Sequence, residues 1–209
     1  MYKKFGKRMI DVILSACGIV VLIPLWIVLA VAIKMDDPGP VFFRQKRIGQ
    51  DKNGEKQFFQ IYKYRSMKMC TPKDCPTHLL KNPEQYITRV GGFLRKYSLD
   101  ELPQILQIFT GEMSIVGPRP ALWNQFDLIE ERDKYGANDV RPGLTGWAQI
   151  NGRDELPIDV KARLDGEYVQ KMGFLFDIKC MIGTVLPVFT GAGVVEGGTG
   201  TMEKENKDQ

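Results

Sequence analysis

Histidine and pairable cysteine are scarce in this chain. It holds one histidine, and its four cysteines (Cys17, Cys70, Cys75, Cys180) are scattered. That spacing argues against a disulfide framework, and no secretory signal with a small-residue cleavage site is visible, so a reducing, cytoplasmic setting is expected. Cys70, Cys75 and His78 form a C-x4-C-x2-H cluster. With no fourth ligand nearby, it reads as a surface loop rather than a zinc site. No internal repeat occurs, which sets solenoid architectures aside. Strong net charge is missing too: the balance is +4 over 209 residues, a length suited to one domain with an appendage.

The charge that is present is unevenly spread. Between Arg44 and Lys68, eight basic residues (Arg44, Lys46, Arg47, Lys52, Lys56, Lys63, Arg65, Lys68) stand against Asp51 and Glu55. A solvated basic face would explain them, and so would an anionic partner, either a phosphate-bearing molecule or a lipid surface.

Charge vanishes altogether from Val12 to Ile33, "VILSACGIVVLIPLWIVLAVAI". The run is long enough to span a membrane. Pro24 near its middle should kink or break the helix, leaving halves of about 17 Å each. Both flanks are basic, with Lys3, Lys4, Lys7 and Arg8 before and Lys34, Arg44, Lys46 and Arg47 after. The positive-inside tendency would keep both ends on one face, so a re-entrant helix-break-helix is favoured over a simple span. Arg8 and Asp11, three apart, are expected to pair where the chain enters the membrane.

After "DDPGP" the pattern becomes that of strands. "VFFRQKRIG" and "KQFFQIYKYRSM" flank Asn53-Gly54 and read as a β-hairpin. Residues 69–86, broken by prolines, read as loop or irregular helix. Pro103 suits the first position of a helix through "PQILQIFT" that Gly111 closes. Pro120 to Tyr135 has Leu122, Phe126 and Ile129 at helical spacing and predicts an amphipathic helix. "RPGLTGWAQINGR" reads mostly as loop, and "KARLDGEYVQKM" and "LFDIKCMIGTVLPVF" as helices; the tail beyond Thr190 reads as flexible at its end. The expected fold class is α+β: a re-entrant membrane helix over 1–38, a domain with amphipathic surface helices and a small β-hairpin over 39–190, and a tail over 191–209.

Within "RKYSLDELPQ", Asp100 and Glu101 are adjacent. Ser98 followed by Glu101 matches a capping box, which needs no chemistry. Pro103 is the better helix start, and it leaves the two carboxylates at the approach to a helix N-terminus. A carboxylate there can attack phosphorus or hold magnesium against substrate phosphates. Phosphoryl transfer also needs cations, and Arg95, Arg119, Arg141 and Arg153 sit in or near Gly/Pro-bounded turns that could present them.

The motifs "KRMID", "GPVFFRQKRIG", "IYKYRSM", "LRKYSLDELPQ", "GEMSIVGPRP", "RPGLTGWAQINGR" and "FDIKC", in this order over nearly the whole chain, resemble the bacterial sugar transferases, the monotopic phosphoglycosyl transferases. The resemblance implies an enzyme on the cytoplasmic face of the bacterial inner membrane, moving a sugar 1-phosphate from a UDP-sugar to undecaprenyl phosphate with Mg2+ required. It implies a ping-pong course in which Asp100 is nucleophile and metal ligand and Glu101 assists. Arg95 would meet the lipid or transferred phosphate, Arg119 and Arg153 the pyrophosphate, with Arg141 and Asp177 in support and Gln104 structural. Lys7, Arg8, Asp11 and Pro24 would belong to the membrane anchor. A homodimer is compatible with this reading, which calls for no nucleic acid. Where the family often has Ser before the helix-breaking Pro, whose hydroxyl can satisfy a freed carbonyl, this chain has Ile23, so the break rests on Pro24 with Ser15 or other helices in support. The chain looks like the short form, without a multi-pass domain before the catalytic part. The rival readings are a lipid phosphatase and a non-catalytic membrane scaffold.

Overall fold

The computed structural model describes residues 2–71, 83–152 and 156–190, with the side chains of Lys4, Pro83 and 186–190 excepted. Cys75, His78, Arg153 and the tail lie outside these residues; Cys70 is exposed.

Helix α1 (Lys7–Asp36) is 30 residues long, about 45 Å, and follows a π-helical turn at Tyr2–Gly6. It continues through Pro24 as one element, where the sequence led us to expect an interruption. A proline removes one N–H, the one that would bond the Val20 carbonyl, and an apolar helix keeps its remaining backbone bonds. Ser15 does not take up that carbonyl: its hydroxyl donates to Asp11 O (2.5 Å) and Val12 O (3.2 Å), more than two turns earlier. Arg8 and Asp11 do not pair either. The Arg8 guanidinium donates to the carbonyls of Ile108 and Phe109, at the end of a neighbouring helix that needs acceptors filled, and the Asp11 carboxylate accepts the amide of Ile115.

One side of α1 packs on the rest of the protein along its whole length. Beyond Arg8 and Asp11, Gly18 faces Ile105, the Trp26 carbonyl accepts from the Tyr64 hydroxyl, and Leu29 and Ile33 bury against Tyr64 and Leu94. Asp36 then accepts the Val90 amide, and Asp37 pairs with Arg65. The opposite side is bare: Val20, Val21, Ile27 and Val28 are all more than half exposed. The most apolar window of α1 is only 11% buried, which separates it from the core helix of a soluble domain.

The expected hairpin is present. Strands β1 (Phe42–Ile48) and β2 (Phe58–Tyr64) pair antiparallel, from Phe42 opposite Tyr64 to Ile48 opposite Phe58. Asn53 and Gly54 turn the connection at φ 53° and 79°. Helix α2 (Arg89–Lys96), which was not anticipated, starts where Thr88 Oγ1 accepts the Gly91 amide. Gly91 lets it approach β2's continuation, since a Cβ there would lie 1.9 Å from Ser66 O. Helix α3 (Gln104–Thr110) ends at Gly111, φ 97°, as expected. Its Gln107 accepts the Tyr62 amide and donates to Gln60 O, which docks α3 on the free edge of β2.

Other elements depart from expectation as well. Strands β3 (Ser114–Val116) and β4 (Gly143–Thr145) pair in parallel where only loop was read around Gly143. Helix α4 (Phe126–Asp133) begins six residues after Pro120, because Leu122 bridges to Arg47 and Ala121 O accepts Ile48 N. Leu122 and Ile129 are buried, whereas Phe126 is 62% exposed. The short α5 (Trp147–Ile150) precedes α6 (Ile158–Lys171) and α7 (Phe174–Thr190), which match their expected helices.

Candidate active site

Asp100 and Glu101 occupy a single 3-10 turn (Leu99–Glu101) wedged between α2 and α3. Ser98 enters it at φ 54° and makes no side-chain cap, so the capping-box reading fails and the two carboxylates are left to other partners. Glu101 is gripped from both sides. Lys63 Nζ lies 2.7 Å from Oε1, and the Arg119 fork reaches Oε1 at 2.7 Å and Oε2 at 3.3 Å. Asp100 is 7% exposed, with Oδ2 3.8 Å from Lys63 Nζ.

The environment pulls the two acids apart. Burial raises the pKa of Asp100 and the charge of Glu101 adds to the rise, with Lys63, Arg95 and Arg119 opposing. Burial also works against the Glu101 charge, but Arg119 and Lys63 outweigh it and hold that carboxyl well below its usual range. One carboxylate is thus a fixed anion, and its neighbour is a poorly solvated group whose charge depends on nearby cations. Such a divergence within one pair is typical of reacting groups.

Of the sequence candidates, Arg119 and Arg95 are brought to the pair; Arg95 reaches Asp100 through its field from α2. Arg141 is half-buried beside Gly117, and no hydrogen bond or ion pair among the described residues joins it to the acids. Asp177 does not reach them either. It accepts from Tyr2 (2.6 Å), Lys7 (2.7 Å) and Tyr168 (3.0 Å), tying the start of the chain to α6 and α7. Gln104 is buried, 1% exposed.

Lys63 was missed as an individual. It was one of eight basic residues in its segment, but Phe59, Ile61 and Lys63 share the inward face of β2, and a cation at an inward position of an alternating strand is a signal. The buried pair Arg132–Asp165 was missed as well (2.6 Å), and nothing local in the sequence announces it.

A domain fastened along a bare apolar helix points to a membrane-associated protein, and its buried carboxylate pair is set among cations. The chain belongs to the bacterial sugar transferase family, whose model matches residues 2–191. It is 39% identical over 190 residues to the UDP-glucose:undecaprenyl-phosphate glucose-1-phosphate transferase of Escherichia coli K12, covering 88% of this chain and 40% of that protein. With the protein of the same name from Xanthomonas campestris pv. campestris it shares 37% identity over 194 residues, 90% of this chain and 39% of that one. The chain therefore spans about 40% of the length of these two relatives. It is 36% identical over 202 residues to the uncharacterized sugar transferase EpsL of Bacillus subtilis 168, covering 95% of this chain and 94% of the relative.

Proposed function

We propose that this protein is a phosphoglycosyl transferase. It moves a sugar 1-phosphate from a UDP-sugar to undecaprenyl phosphate, starting a capsule, exopolysaccharide, O-antigen or glycoprotein glycan. The observation that carries the reading is the divided pair: a buried Asp100 beside a Glu101 fixed by Lys63 and Arg119.

The reaction runs in two displacements. An Asp100 carboxylate oxygen attacks the sugar-proximal phosphorus, the bond from that phosphorus to the bridging oxygen breaks, and UMP leaves with the bridging oxygen. An oxygen of the polyprenyl phosphate then attacks the same phosphorus, the acyl-phosphate bond breaks, and Asp100 is free again. Arg119 and Arg153 stabilise pyrophosphate charge, Arg95 receives the transferred or lipid phosphate, and Arg141 is a support. Glu101, held by two cations, keeps those cations in register beside the nucleophile.

The donor set suits magnesium. No cluster of three or more His, Cys, Asp or Glu side chains occurs among the described residues, whereas one or two carboxylates completed by substrate phosphates and water is a usual magnesium site. Asp100 would hold the ion with Glu101 adjacent, and the ion would supply charge neutralisation on the phosphate oxygens.

The domain sits on one face of the membrane, taken as the cytoplasmic face of the bacterial inner membrane. Both ends of α1 bind it, Arg8 and Asp11 through α3 and β3, Leu29 to Asp36 through β2 and α2. A straight span of about 45 Å would carry one end away from the domain. That favours a re-entrant α1 that bends at Pro24 while staying helical, with its exposed face and the exposed Leu106 and Phe109 of α3 in lipid.

The test is UMP release by the purified protein in lipid or detergent, with a panel of UDP-sugars, undecaprenyl phosphate, and magnesium present or absent. Metal-dependent release with a donor, lost in Asp100→Asn, is the expected result. A folded Asp100→Asn variant that complements normally would replace the enzyme with a scaffold, and orthophosphate release from the lipid would replace it with a phosphatase.

A further inference from the structure

Arg119 lies between Pro118 and Pro120, so its loop lacks two backbone donors and both flanking φ angles are fixed. Such a segment cannot hold itself in a turn through those N–H groups. It is held from outside, by four successive carbonyls. Pro118 O accepts from Gly143 N (2.8 Å) and Ala121 O from Ile48 N (3.0 Å), both ends of strands. The two between are taken by side chains: Pro120 O by Arg47 Nη1 at 3.0 Å, and Arg119 O by Arg132 Nη1 at 2.9 Å.

Arg132 is 2% exposed, and the other two nitrogens of its fork bond a buried acid. Nε and Nη2 donate to Asp165 Oδ2 at 2.8 and 2.6 Å, and Asp165 is 1% exposed. A buried ion pair is weak evidence for stability, since well-packed apolar residues of similar volume often do as well. An apolar pair, however, cannot grip a carbonyl. The carbonyl gripped here belongs to the residue whose guanidinium clasps Glu101.

We propose that the Arg132–Asp165 pair is a positioning device for Arg119. Asp165, on α6, orients the guanidinium of Arg132, on α4. An N–H on Nη1 of that guanidinium fixes the Arg119 backbone, and so sets where the Arg119 side chain meets Glu101. Neither residue touches substrate; the pair acts through Arg119, and the inference rests on the reading that Arg119 serves the transfer.

The test is a double-mutant cycle joined to hydrogen exchange. Arg132→Lys keeps a charge for Asp165 but loses the planar fork that spans carboxylate and carbonyl. Expected is a fall in kcat/KM of roughly tenfold in the wild-type background, and of less than about twofold in an Arg119→Lys background, because the effect has no other route. Equal falls in both backgrounds would overturn the proposal and leave a general structural role. Amide exchange on peptides covering residues 114–123 is read in parallel, with α4 and α6 as internal reference. Faster exchange confined to that loop is expected, and unchanged exchange overturns the proposal. If Arg132→Lys does not fold, the uncharged pair Arg132→Met with Asp165→Leu takes its place in both arms. A wild-type protein that releases no UMP would refute the functional reading instead, and the exchange arm alone would then decide this one.

Discussion

Replacing Lys63 with methionine tests the electrostatics of the site where they are most concentrated. Methionine keeps most of the side chain's length and removes only the charge. Two interactions go with it: the 2.7 Å contact to Glu101 Oε1 and the 3.8 Å approach to Asp100 Oδ2. A charge-assisted hydrogen bond is worth about 1.5–3 kcal/mol, and two unit charges near 4 Å interact by about 4 kcal/mol at an effective dielectric of 20. Neither counts in full. Glu101 keeps Arg119, Arg95 still acts on Asp100, and the Lys63 side chain is 19% exposed. A net loss near 3 kcal/mol is the working figure, which is roughly a hundredfold in kcat/KM for UMP release. Thermal unfolding of the same variant should fall by only a few degrees, because Glu101 is left with one cation rather than none. Activity within about twofold of wild type in a folded Lys63→Met protein would refute the reasoning.

Three other outcomes are expected. Chelation of magnesium by EDTA should abolish UMP release, with recovery on adding the ion back; release that persists would remove the metal from the account. Gly91→Ala would push a Cβ to 1.9 Å from Ser66 O, so α2 must shift, and thermal unfolding should show a loss of about 2 kcal/mol or more. Asp36 has its pKa lowered chiefly by the Val90 amide bond. Its stabilisation is present above the unfolded value of about 4 and is lost as pH falls through the lower folded value, so the unfolding gap between wild type and Asp36→Asn should be steady at pH 6 and close toward pH 3. That gap should be under about 1 kcal/mol, because the pair is largely solvated.

What could be read beforehand follows a physical divide. The hairpin, α6 and α7 were legible because alternation and helical periodicity are local, and Gly111 ended α3 because only a left-handed closing residue fits there. The acidic pair stood out for the same reason: Pro103 set the helix start just beyond it. Contacts between distant segments were not legible. Arg8 seemed destined for Asp11, yet the unfilled carbonyls at the end of α3 gave it better acceptors. Leu122 had helical spacing with Phe126, but a bridge to Arg47 holds it outside α4. Strands of three residues, such as β3 and β4, have too few positions to show a period. Asp177 was read from its motif as a support for the site, and its partners are Tyr2, Lys7 and Tyr168.

The central claim is that Asp100 forms a covalent bond to the transferred phosphorus. Its most direct test is mass spectrometry of the protein after brief incubation with magnesium and its UDP-sugar in the absence of polyprenyl phosphate. The account predicts a mass increase equal to one phosphosugar, located on the peptide that carries Asp100, together with an equivalent amount of UMP; adding undecaprenyl phosphate should discharge the adduct. No adduct, and UMP formed only when the lipid is present, would contradict it and favour direct transfer between the two substrates.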